Sequence, residues 1–560
     1  MARKRNLLLT ILFVAILIAP RAYAQNLNQR DGIRRVLLIS VDGMHALDYE
    51  NCVSGAFCPT LAALGKSGVN YTRTSASQPS DSFPGLMALV TGGTPKTVGA
   101  FYDVAYDRVL APPQNTTGNG LAGGTCKPGV PNGTTTEYEE GVDIDQSQLT
   151  GGGAYSNPID GGIKSIDPTK LPRDPFHACM PVYPWNFIRT NTIYGVIHAA
   201  HGYTAWADKH AVYAAVSGPS NNASNVDDYY APDVNSNVIN LPGVTAADGL
   251  SCSVIPDNNG GAWTDSFQNI KCYDQLKVNA VLNEINGKTH LGQGKAPVPN
   301  IFGMNFQAVS VGQKLIEGGV KGGYTDAAGT PTPSMKGEIV FVDAALGQMV
   351  NELKHQGLLD STLIIVTAKH GQSPVDTHRF TEVNANSPAH LLAAAGLLPA
   401  SESPLTAGGI GPTEDDISQL WLNPGTDTSM AVGILEANAA AAGIGQIFYG
   451  PSLETMFNAP GLPPAGDPRT PDIIVQPNVG VVYSGSSKKQ AEHGGFAHDD
   501  TNVILLVSNP DLQARTVTSF VETTQVAPTI LQVLGLDPGS LDAVQKEGTP
   551  VLPGLNFRHD

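Results

Sequence analysis

Residues 36–41 read Val-Leu-Leu-Ile-Ser-Val and run straight into Asp42-Gly43. A strand with one wet face alternates apolar and polar side chains, but this run is apolar at odd and even positions alike. It has to be covered from both sides, which is the condition of a central strand in a parallel sheet with helices on each face. Such sheets gather their chemistry at the C-terminal ends of the strands, where Asp42 sits. Similar runs recur at Asn300 to Asn305, Thr362 to Thr367, Pro471 to Val475 and Asn502 to Val507, with a more polar one at Val69 to Thr74. Helical patterns separate them at 59–68, Leu86 to Thr91, Trp185 to Ala199, Gly337 to Leu358 and Val526 to Leu534. The alternation predicts an α/β fold on one doubly wound, mostly parallel central sheet flanked by helices.

What interrupts that core is visible in composition. Of 560 residues 61 are Gly and 41 are Pro, together about 18% where roughly 12% is usual. Much of the excess falls in three stretches, about 111–180, 216–265 and 381–465, which are too long for simple connections. The reading is a single catalytic domain over 25–560 with loop-rich insertions there, the last of them a small cap.

The N-terminus has the parts of a secretory signal peptide: Arg3, Lys4 and Arg5, a run from Leu7 to Ala19 that is apolar except for Thr10, and Ala22-Tyr23-Ala24 as a cleavage site. The run is too short for a membrane span of about 20 residues, and no other segment approaches one. Residues 1–24 are therefore read as a signal peptide cleaved near Ala24, leaving a secreted or periplasmic protein with no membrane span. In that compartment the six cysteines favour disulfides. Sequential pairing, Cys52 with Cys58, Cys126 with Cys179 and Cys252 with Cys272, would pin three loops rich in Gly, Pro and Asn. The net charge of −17 falls to −21 once the four basic residues of 1–24 are gone. No nucleic-acid-binding module is expected on such a surface, because backbone binding is built on clustered Lys and Arg.

Four segments carry residues suited to nucleophilic attack or metal binding: Asp42-Gly43, Ser82-Phe83-Pro84, Lys369-His370-Gly371 and His493-Gly494-Gly495. Each is weak alone, but strand ends of one sheet converge, so the four together point to a single site. With the strand Leu363 to Thr367, Glu492-His493-Gly494 and the helix around Val342 to Gly347, they resemble the type I phosphodiesterase and nucleotide pyrophosphatase branch of the alkaline phosphatase superfamily. Ser82-Phe83-Pro84 stands where that branch has Thr-Phe-Pro.

The resemblance implies an alkaline-phosphatase-like fold and an exported, metal-dependent hydrolase of phosphate esters, most simply a phosphodiesterase working through a phospho-enzyme. Residue by residue, Ser82 resembles the nucleophile and, with Asp42 and His370, a ligand of the activating metal; His493 resembles a ligand of a second one. A cation lowers the pKa of a serine hydroxyl and offsets phosphoryl charge, and carboxylate with imidazole suits zinc. The expected cofactor is thus a divalent metal, zinc first, as one or two ions, and the expected partner is a small phosphoester.

Two positions depart from the family. Lys369 precedes His370 where the family has Asp, and the segment that should bring acidic and histidine ligands, Met304 to Ser310, offers only the amides of Asn305 and Gln307 and a hydroxyl. One ion assisted by the catalytic ammonium of Lys369 therefore ranks ahead of two, and no metal third. Asn305 and Gln307 become candidate substrate contacts. Lys209 and His210 join them, because Asp208-Lys209-His210 faintly resembles the Lys and His that hold the anion in sulfatases; a loop salt bridge is the plain alternative. Ser80 is the reserve nucleophile, and His498-Asp499-Asp500 either extra ligands or a solvated turn. Asp343 and Asp472 are expected to be structural. A sulfatase is the nearest other enzyme, although Leu86 stands where its modification motif needs Arg. A catalytically degenerate member binding a phosphorylated or glycan ligand is the reading from another class.

Overall fold

The computed structural model describes residues 32–116, 122–138, 163–234, 241, 243–253, 263–406, 414–486 and 489–558. The expected leader, Met1 to Ala24, and parts of all three insertions lie outside the described residues. The strands that build the core and the cap are β1 (Arg35–Val41), β2 (Gly68–Tyr71), β3 (Ala205–Ala207), β4 (Asp228–Tyr230), β5 (Ile301–Phe306), β6 (Thr362–Thr367), β7 (Ser418–Leu420), β8 (Ile444–Tyr449), β9 (Ile473–Pro477), β10 (Leu505–Ser508) and β11 (Arg515–Val517). The helices that matter for the site are α1 (Pro59–Lys66), α2 (Ser82–Thr91), α3 (Asn269–Ile285), α4 (Pro333–His355) and α5 (Val526–Val533).

The main sheet has eight strands in the order β11-β2-β10-β6-β1-β5-β3-β4. From β6 to β4 every neighbouring pair is parallel, whereas β10 runs antiparallel to both β6 and β2. The fold is thus the mostly parallel α/β sheet of an alkaline-phosphatase-like protein. The double apolar pattern of β1 is resolved by the pleat. Val36 and Leu38 pack with Leu363 and Ile365 of β6, with Phe83, Leu86 and Leu89 of α2, and with Ile530 of α5. Leu37, Ile39 and Val41 face the other way, onto Leu61 of α1, Leu276 of α3 and Ile339 and Val342 of α4.

Two expectations change. The stretch Trp185 to Ala199 is two short helices, Pro184–Phe187 and Ile193–Ala199, because Thr192 caps a new start by accepting the Gly195 N–H at 3.3 Å. The run at 471–475 does not join the main sheet. As β9 it is the middle strand of a small antiparallel sheet, β7-β9-β8, so the cap extends past 465. A middle strand of any covered sheet is apolar on both faces, and here Ile473 and Val475 pack with Leu392, Leu420 and Leu435 in the cap's own core. The three disulfides pair as expected, Cys52–Cys58, Cys126–Cys179 and Cys252–Cys272. Among the described residues no helix is long and apolar enough to cross a membrane.

Candidate active site

The parallel strands β6, β1, β5 and β3 end along one edge, and each delivers polar residues there. Ser40 of β1 lies in register with Asn305 of β5 and Thr367 of β6, so Asp42, Gln307 and Lys369 emerge side by side. Asp208, Lys209 and His210 follow β3. Ser82 is the first residue of α2, whose N-cap Asp81 accepts the Phe83 N–H at 3.0 Å. Pro84 fits that first turn, where its missing N–H costs little. Gly85 lets α2 come close: a Cβ there would lie 2.2 Å from the Lys369 carbonyl oxygen.

Ser82 is held between two groups. Its Oγ lies 3.1 Å from His370 Nε2, and the Lys209 ammonium donates to it at 3.2 Å. His370 Nδ1 is 2.9 Å from the Gly371 carbonyl, which can only accept, so Nδ1 carries the proton and Nε2 accepts from the serine hydroxyl. Asp42 Oδ2 accepts from the side-chain amides of Asn305 at 3.0 Å and Gln307 at 2.6 Å, and lies 4.0 Å from the ammonium of Lys209, 4.0 Å from that of Lys369 and 3.7 Å from His370 Nε2. Burial opposes the charge of Asp42, yet Lys369, His370 and Lys209 outweigh it and hold the carboxyl well below its ordinary range. Lys369 is buried and paired with Asp208, at 3.0 and 3.2 Å, and Asp208 also accepts the Trp206 indole N–H at 2.9 Å.

His493 reaches the same place from the loop before β10. Its ring centroid is 4.0 Å from that of His370, and its Nδ1 is 3.5 Å from Asp81 Oδ1. Burial, then His370, Lys314 and Lys209, push its pKa well below the usual histidine value.

The expected residues Asp42, Ser82, Lys209, Asn305, Gln307, Lys369, His370 and His493 therefore converge, with some parts exchanged. Asn305 and Gln307, expected to face a substrate, direct their amide N–H groups to Asp42. Lys209, expected to touch substrate, touches Ser82, while Lys369 is engaged by Asp208. His210 sits one layer back, 3.3 Å from Asp233 and stacked on Tyr213. Ser80 donates its hydroxyl to the Asp500 carbonyl and stands apart from the cluster. His498 is 82% exposed, Asp343 accepts the Thr60 and Leu61 N–H groups, and Asp472 binds Arg108 and the Leu422 N–H. Two residues escape a motif search. Asp81 is signalled only as a helix N-cap before Ser-Phe-Pro. Tyr213, whose ring centroid lies 4.2 Å from the Lys369 ammonium and 5.7 Å from that of Lys209, carries no sequence signal at all.

The model of the type I phosphodiesterase / nucleotide pyrophosphatase family matches residues 36–132 and 322–499. The chain resembles that family over these two stretches. It is a hydrolase of phosphoesters, and small-molecule phosphoesters are the substrates that fit the family. Among solved structures, wild-type alkaline phosphatase PafA is 12% identical over 90% of this chain and 96% of its own, with a TM-score of 0.51, a likeness of fold. Murine ectonucleotide pyrophosphatase/phosphodiesterase 5 is 14% identical over 90% of this chain and 96% of that one, with a TM-score of 0.48. No curated protein matches the sequence.

Members of the family and superfamily are metal-dependent, generally on zinc. The residues present here do not fit a two-ion centre. Among the described residues no three His, Cys, Asp or Glu side chains are grouped to hold a metal ion. Asp42 is already bound by two amides and flanked by two ammonium groups. At 4 Å and an effective dielectric of 20, two unit charges interact by ~4 kcal/mol, so each ammonium already supplies Asp42 with part of the charge that a cation would bring.

Proposed function

We propose that the chain is an exported phosphodiesterase in which Ser82 attacks phosphorus and forms a covalent phosphoserine. The observation that carries this reading is the Ser82 Oγ held between His370 Nε2 and the Lys209 ammonium. In the first half-reaction the Oγ–P bond forms and the bond from phosphorus to the leaving oxygen breaks. The serine proton passes to His370 Nε2 and on to the leaving oxygen, which departs as an alcohol. In the second, a water loses its proton to His370 while its oxygen bonds to phosphorus; the Oγ–P bond breaks and Ser82 regains a proton. The Lys209 ammonium offsets charge on Oγ in both halves, and the N-terminal end of α2 adds its dipole there. The basic leader pattern and three disulfides support work outside the cytoplasm.

The test uses bis(p-nitrophenyl) phosphate, p-nitrophenyl phosphate and p-nitrophenyl sulfate with the wild type and Ser82→Ala. The wild type is expected to prefer the diester, and Ser82→Ala to lose at least ~10³-fold in kcat with an unchanged melting temperature. A Ser82→Ala protein with wild-type turnover refutes the nucleophile.

A second reading keeps one divalent ion, zinc first, near Asp42, Ser82, His370 and His493, whose side chains would have to draw closer together to ligate it. It is favoured by Asp42 Oδ1 and His493 Nδ1, which are buried and make no hydrogen bond among the described residues.

A further inference from the structure

The acidic ligands that the family uses and this chain lacks are not simply missing, because fixed cations occupy their neighbourhood. Lys369 takes the place of an aspartate directly before His370. Lys209 follows β3, while Asn305 and Gln307 come from β5 and its end; all three lie inside the stretch 133–321 that the family model leaves unmatched. Both ammonium groups lie 4.0 Å from the same oxygen of Asp42, and Lys209 is within hydrogen-bonding reach of the nucleophile. Neither lysine is an adjustable surface side chain. Lys369 is fully buried and Lys209 is 5% exposed. Lys369 is clamped by both oxygens of Asp208, whose Oδ2 is in turn fixed by Trp206 and whose Oδ1 accepts the backbone N–H of Lys209 at 2.8 Å. One aspartate thus holds the Lys369 ammonium and the Lys209 backbone, and the ring of Tyr213 lies near both ammonium groups.

The arrangement has the charge logic of a metal site, with ammonium groups and amides where further acidic donors would stand. Two positive charges converge on one carboxylate and one hydroxyl, in a buried setting where they are screened little by solvent. The amides of Asn305 and Gln307 suit this: they hold Asp42 by donating N–H groups, which an ionised aspartate in their place could not do. We infer that Lys209 and Lys369 stand as built-in cations where the family holds its metal ions, so that Ser82 is activated by an ammonium and an imidazole. Lys209 is the catalytic member, in contact with the reacting oxygen; Lys369 is a positioning residue that acts through Asp208 and Asp42.

This inference rests on the Ser82 hydrolase reading, and the experiment separates the two. The full-length mature protein, purified without added metal, is analysed for zinc, manganese and calcium, then assayed on bis(p-nitrophenyl) phosphate before and after EDTA dialysis. Its melting temperature is recorded with and without zinc. The expected result is less than about a tenth of an ion per chain, turnover unchanged by EDTA within about twofold, and no zinc-dependent rise in melting temperature. Lys209→Met should lower kcat by about 10²- to 10³-fold, the effect of removing one preorganised donor, with Lys209→Arg recovering part of it. Stoichiometric metal together with loss of turnover on chelation overturns the inference, even with Ser82→Ala inactive. Turnover in Ser82→Ala overturns the hydrolase reading itself. Should Lys209→Met fail to fold, the metal content and chelation of the wild type still decide.

Discussion

At the scale of single residues, the site depends on how closely α2 approaches the end of β6. Gly85 is helical and needs no unusual dihedral angle; what it supplies is the absence of a Cβ against the Lys369 carbonyl, 2.2 Å from where that atom would lie. A carbonyl oxygen on a buried strand end cannot yield as a flexible side chain can. Gly85→Ala is therefore expected to push α2 outward, to cost about 1–3 kcal/mol of stability, and to carry Ser82 away from His370 Nε2. A displacement of about 1 Å is enough to spoil a near-attack geometry, so kcat should fall by about 10²-fold. Steady-state kinetics and urea denaturation check it; a Gly85→Ala enzyme with wild-type kcat would show that the contact does not position the nucleophile.

At the scale of elements, the sheet was readable because β1, β5 and β6 carry an unusual pattern, apolar on both faces, that only double coverage satisfies. Asp42, His370 and Ser82 were readable for a related reason: strand ends and the turn into α2 are where short motifs survive. Lys209's contact with Ser82 was not, because β3 is a short strand after a loop-rich insertion, and nothing in Asp208-Lys209-His210 tells which neighbour each side chain meets. Nor could the run at 471–475 be assigned to the cap, since a two-sided apolar strand looks the same in either sheet. Asp343 shows how an element-scale role is told from a catalytic one. From α4 it accepts the N–H groups of Thr60 at 3.1 Å and Leu61 at 2.7 Å, so a carboxylate on one helix satisfies the open N-terminus of α1. Asp343→Ala should lower stability by about 0.5–2 kcal/mol and leave kcat and KM unchanged. Thermal melts and kinetics on the same preparation read both; a selective loss of kcat would move Asp343 into the chemistry.

At the scale of the whole molecule, residues 467–472, just before β9 enters the cap, are tied to the body by three arginine–aspartate pairs. Arg108 meets Asp472 at 2.6 Å, Arg469 meets Asp107 at 2.8 Å, and Arg189 grips Asp467 with two bonds of 2.6 and 2.7 Å. Asp467 has only 5% of its side chain exposed, so solvent screens its pair weakly. Burial alone would raise its pKa, but the Arg189 bonds prevail and bring it from 3.8 down to about 2. A carboxyl depressed on folding binds fewer protons in the folded state than in the unfolded one. Its contribution is therefore complete above about pH 4 and fades as pH falls through about 2, and its size is about 2 kcal/mol. Asp467→Asn should thus be less stable than the wild type by about that amount at pH 6, with the gap closing between pH 4 and pH 2. Urea unfolding at pH 6, 4, 3 and 2 measures it. A gap that stays constant over that range would mean that the neutral hydrogen bonds, and not the charge on Asp467, hold the base of the cap against the body, leaving acid sensitivity of the cap to other groups.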